Sequence, residues 1–66
     1  MILTPTQCKT ARSALGWTLS DLAQRSGVAR QTIYQFERGG RIEPSYETLA
    51  ALKLVFEREG MKLELA

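Results

Sequence analysis

The chain reads as an all-α domain: four short helices, followed by a short strand that closes the sequence. Three observations carry that reading. Apolar residues recur at helical spacing in separate stretches, each closed by a glycine and most of them opened by a hydroxyl-bearing cap. Residues 18 to 39, TLSDLAQRSGVARQTIYQFERG, hold two such stretches a tight turn apart. The last six residues, MKLELA, change instead to a strict apolar and polar alternation.

Helix one begins after Thr4, with Pro5 at the first helical position and Gln7 completing a T-x-x-Q capping box. It runs to Leu15 and stops at Gly16. Cys8, Ala11, Arg12 and Leu15 share one face, so Cys8 is expected as a small buried hydrophobe and not as a nucleophile. Trp17 follows as a core residue, just ahead of Thr18, which caps helix two over Leu19 to Ser26. Leu19, Leu22 and Ala23 face inward there. Gly27 then supplies the positive φ that the tight turn needs, with apolar Val28 next. Helix three spans Arg30 to Arg38, buries Ile33 and Phe36, and ends at Gly39-Gly40. After a loop with Pro44, Ser45 caps helix four, which runs from Tyr46 to about Glu59 and stops at Gly60. One domain accounts for residues 1 to 66, with helix–turn–helix at 19 to 38 and a dimerisation unit at 46 to 66.

Composition excludes several classes. A chain of 66 residues buries only about 60 % of its unfolded surface, so a second copy would help it. No signal peptide and no apolar run of about 18 residues is present, which predicts a chain neither secreted nor membrane-spanning. A single Cys suits a reducing cytoplasm, and with no His a metal site is not expected. No cofactor is expected either. Without an acid–base pair or a phosphate-binding glycine loop the chain does not read as an enzyme.

The net charge of +2 is unevenly spread. Residues 1 to 41 carry six basic side chains against Asp21 and Glu37, a net of +4, while residues 42 to 66 carry three basic against five acidic, a net of −2. The basic part contains the helix whose outer face bears Arg30, Gln31, Tyr34, Gln35 and Arg38. Arginine offers two donors to guanine O6 and N7, and glutamine matches adenine N6 and N7. Arg30, Gln31, Tyr34 and Gln35 are therefore the expected base readers, with Tyr34 stacking along the groove wall, packing on a thymine methyl or donating to a phosphate. Thr18, Arg38 and Arg41 are expected on phosphates, with Lys9 a weaker candidate. The pattern is that of double-stranded DNA recognition.

Two charged residues point the other way. Glu37 lies on the core side of helix three and Arg12 on the apolar face of helix one. An unpaired buried charge costs several kcal/mol, so an Arg12–Glu37 salt bridge is expected to tie the helices together.

The segment LGWTLSDLAQRSGVARQTIYQFERG resembles the Cro and phage-repressor class of helix–turn–helix domains, also called the Xre class, over about residues 5 to 58. The resemblance implies a repressor-like domain, five-helix in the family, that reads DNA as a dimer, with Arg30, Gln31 and Gln35 on bases and Thr18, Arg38 and Arg41 on phosphates. It also implies a cytoplasmic, bacterial or phage-encoded regulator. Three positions depart from the family. Ala29 stands where a Ser or Thr often caps the recognition helix, Leu19 where several relatives present Gln to a phosphate, and MKLELA where a fifth helix follows.

A strand in that place is similar to the HipB-like antitoxins, whose strands pair between two chains. Paired antiparallel about Leu63, Lys62 of one copy faces Glu64 of the other, and Met61 faces Leu65, each twice. Helix four adds Leu54 and Val55, apolar off the face that Leu49, Leu52 and Phe56 turn to the core. Leu54, Val55, Met61, Lys62, Leu63, Glu64 and Leu65 are thus the expected dimer contacts. The leading functional expectation is a homodimeric transcriptional repressor on an inverted repeat. The alternatives are an antitoxin with a toxin partner, or an architectural recombination factor.

Overall fold

The computed structural model describes residues 2–40 and 43–61. It contains four helices: α1 (Pro5–Ala14), α2 (Leu19–Ser26), α3 (Arg30–Glu37) and α4 (Tyr46–Arg58). Among the described residues there is no strand. The expected strand residues Lys62, Leu63, Glu64 and Leu65, and also Arg41, lie outside the described residues.

Local chemistry sets where each helix starts. Thr4 Oγ1 accepts from the Gln7 N–H at 3.1 Å while Gln7 Oε1 accepts from the Thr4 N–H at 2.9 Å, a reciprocal box ahead of α1. Thr18 and Asp21 build the same box ahead of α2, at 3.0 and 2.9 Å. Ser45 caps α4 by accepting from the Thr48 N–H at 3.2 Å. Ahead of α3 stands Ala29, with no side-chain cap bond.

The stops matter as much, because one of them places Trp17. Past the end of α1, Gly16 takes φ +71°, the left-handed region that costs other residues steric strain. The chain reverses there, and the Trp17 N–H donates to the Arg12 carbonyl at 3.0 Å. Gly27 at φ +77° makes the corresponding reversal between α2 and α3.

The core sits where α3 and α4 each pack on α1 and α2. It consists of Leu3, Cys8, Ala11, Leu22, Ile33, Phe36, Leu49, Leu52, Val55 and Phe56. Trp17 is half-buried and stacks on Phe56, ring centroids 6.1 Å apart. Val55 is 9 % exposed, which corrects its expected place on an outward face of helix four. Trp17 and Val55 line one concavity, together with Arg25, Arg58 and Glu59. Leu54 stays outward at 47 % exposure, and Met61 packs half-buried against the core of its own chain. No helix among the described residues is long and apolar enough to cross a membrane.

The missing cap on α3 is testable. Ala29 is exposed and its backbone is already extended, at φ −59° and ψ 138°. Ala29→Ser should raise stability by about 1 kcal/mol, read as a higher urea midpoint at unchanged slope. An unmoved midpoint would mean that water already serves the first-turn N–H groups of α3 equally well.

Candidate nucleic-acid interface

The eight residues of α3 are too few to hold a helix in water alone, where about 12–15 are marginal. Its inner row keeps it in place. Ile33 is fully buried and Phe36 is 4 % exposed. Glu37 completes that row, with a side chain only 7 % exposed.

Glu37 is held from two positions on α1. Arg12 Nε donates to Oε2 at 3.0 Å and Nη2 to Oε1 at 2.9 Å, a bidentate pair. The Cys8 thiol also donates to Oε2, at 3.4 Å. The remaining arm of Arg12 reaches the Trp17 carbonyl, with Nη1 to O at 2.9 Å. The hydrogen bond to Glu37 raises the pKa of Arg12 and keeps the guanidinium charged. Burial foremost, with the Glu37 charge in support, pushes the Cys8 thiol far up and holds it protonated as a donor. The structure thus brings Arg12 and Glu37 together and adds Cys8 and Trp17 to them.

The other side of α3 is free. Arg30, Gln31, Gln35 and Arg38 are exposed, and Tyr34 is 41 % exposed. At about 100° per residue, Gln31 and Gln35 stand nearly opposite the inner row, with Arg38 beside them. Arg30 and Tyr34 lean toward the α1 side. Lys9 is exposed on α1, and it lines a groove with Arg12, Leu19, Tyr34, Glu37 and Arg38. Leu19 is half-buried against the core and presents no polar atom to that groove.

Thr18 caps α2 as the sequence predicts, and that cap engages part of its hydrogen-bonding capacity. Its N–H donates to Asp21, so a carboxylate of the chain already occupies the start of α2. That backbone hydrogen bond holds the Asp21 carboxyl below the usual carboxylate range. Thr18 keeps its hydroxyl proton for an outside acceptor while its oxygen accepts from the Asp21 N–H. The T-x-x-D spacing carried this signal in the sequence. Two further contacts went unread. The Arg25 guanidinium lies 4.5 Å from the Trp17 ring centroid, and that of Arg38 5.4 Å from the Tyr34 ring centroid. The second has a sequence signal, since residues four apart on a helix are neighbours. The first depends on the chain reversal at Gly16.

Against known protein families, the model described as helix-turn-helix matches residues 9–59, most of the chain. Among curated proteins none matches.

The anchor predicts its own failure mode. Arg12→Ala leaves a nearly buried carboxylate without its partner and should cost about 3–5 kcal/mol, enough to unfold much of so small a domain. Replacing both partners, Arg12→Met with Glu37→Leu, should recover most of that loss in the same denaturant titration. A double variant as unstable as Arg12→Ala would show that the cost comes from elsewhere.

Proposed function

The chain belongs to the Cro- and phage-repressor-like (Xre-like) helix-turn-helix family of DNA-binding transcription regulators, and from that premise we propose that it is a homodimeric repressor reading an inverted repeat through the major groove. The observation that carries this reading is the outer face of α3. Five polar or aromatic side chains, Arg30, Gln31, Tyr34, Gln35 and Arg38, project from a helix anchored on its other side by the Arg12–Glu37 pair.

The mechanism is occupancy. Each copy lays α3 in the major groove, with two half-sites about 34 Å apart on one face of the duplex. Gln31 and Gln35 read base edges from the outermost line of the helix, and Arg30 does so from its N-terminal end. Lys9, Thr18, Arg38 and Arg41 grip phosphates and set the register. The two copies meet through Leu54 of α4 and the strand formed by Met61 to Leu65. Bound repressor then excludes polymerase. Val55, covered within its own chain, does not take part.

Selection of genomic fragments at about 150 mM salt, where counterion release suppresses non-specific binding, tests the reading. An enriched inverted repeat is expected; fragments without a shared motif would sink the repressor proposal and favour an architectural factor. At that operator Gln31→Ala should cost about 1–3 kcal/mol and relax one base position. Arg38→Ala should weaken every sequence and lower the salt slope by about one. Sedimentation of Leu63→Pro should give a monomer where the parent chain is a dimer. A surviving dimer would move the interface to α4 alone.

A further inference from the structure

Tyr34 and Arg38 stand one turn apart on α3, and their side chains meet. Arg38 Nη1 donates to the Tyr34 phenol oxygen at 3.3 Å, and the guanidinium carbon lies 5.4 Å from the ring centroid. The contact therefore has two parts, a hydrogen bond at the rim of the ring and a cation against its face. Both leave Tyr34 occupied by its own helix.

Position reinforces this. Tyr34 sits about 60° around the helix from the line of Gln31, on the side toward α1. There it lines the groove with Lys9, Arg12, Leu19, Glu37 and Arg38. That lining carries three cations and one carboxylate. Arg12 engages both oxygens of the carboxylate, so its charge is spent at the floor. Lys9 and Arg38 remain at the rim, exposed and with no ion pair among the described residues. Two exposed cations that line one groove, beside an already neutralised carboxylate, suit a single phosphate.

We infer that Tyr34 is a positioning residue for Arg38 and not a base reader: its ring and phenol hold the guanidinium over the groove, where Arg38 and Lys9 close on one backbone phosphate. The physical gain is preorganisation. A free arginine side chain loses its rotamer freedom when it grips a phosphate, whereas one already held loses less. The inference rests on the DNA-binding reading above and assigns Tyr34 a different task within it.

A double-mutant cycle on the full chain tests it, with binding measured on the selected operator, on each single-base variant of that operator and on random duplex, over a range of salt. Trp17, the only tryptophan, reports by fluorescence that each variant is folded. Tyr34→Phe keeps the ring and removes the hydrogen bond. It should weaken operator and random duplex alike by roughly two- to tenfold, and Tyr34→Ala should weaken them further. Base preference should stay as in the parent chain at every position. In an Arg38→Ala background, Tyr34→Phe should change nothing beyond about twofold.

A loss confined to one base pair, and persisting without Arg38, would make Tyr34 a base reader and overturn the inference. Unchanged affinity in Tyr34→Phe and Tyr34→Ala together would overturn it as well. A parent chain that binds no duplex at low salt would bring down the DNA-binding reading, and with it this assignment. That outcome is distinguishable, because the parent chain alone reveals it.

Discussion

The bidentate pair between Arg12 and Glu37 is the contact on which the remaining geometry depends. It joins α1 to α3 directly, and through the third arm of Arg12 it also fixes the carbonyl of Trp17 in the link to α2. Three segments, α1, the link at Trp17 and α3, thereby share one guanidinium. The carboxylate is equally well served, since Oε2 also accepts from Cys8. A nearly buried ion pair adds little net stability once desolvation is counted, but it permits only one arrangement of its partners. Together with the burial of Ile33 and Phe36, the pair sets the face that α3 turns inward, and so which side chains face outward.

The same pair shapes the electrostatics. The acidic side chains near α3 are taken up within the chain, Glu37 by Arg12 and Asp21 by the start of α2. Lys9, Arg30 and Arg38 have no such partner among the described residues and stay exposed. A chain with a net charge of only +2 thus presents a positive face to a polyanion. The exposed carboxylates Glu47, Glu57 and Glu59 sit on or at the end of α4 instead. Charge has been sorted by burial and pairing, not by composition.

Most of the fold was legible because its punctuation is chemical. Thr4, Thr18 and Ser45 mark the starts of α1, α2 and α4, and the glycines at 16, 27, 39 and 60 mark the ends, each with positive φ. The anchor was legible for a related reason, since Arg12 and Glu37 each sit on a face otherwise apolar. Val55 was misplaced because a helical wheel describes one helix, whereas burial is decided by its neighbours. Trp17, brought onto the neighbouring Phe56 by the reversal at Gly16, is such a neighbour, and no periodicity in α4 encodes it. Arg25 over Trp17 escaped for the same cause. Thr18 was legible as the cap of α2, but its reciprocal bond with Asp21 was not, because Asp21 was counted only as charge.

A helix of eight residues that cannot persist alone borrows its order from the inner row of Ile33, Phe36 and Glu37. The outer row contributes little to that order, because the side chains of Gln31 and Gln35 are exposed and take no part in the core. Substitutions at those two positions should therefore leave the fold intact. Tyr34 and Arg38 differ in being coupled to each other through a hydrogen bond. The side chains that fix the fold thus lie on one side of this short helix and the exposed polar ones on the other, which is why so small a chain can vary its outer face while keeping its inner one.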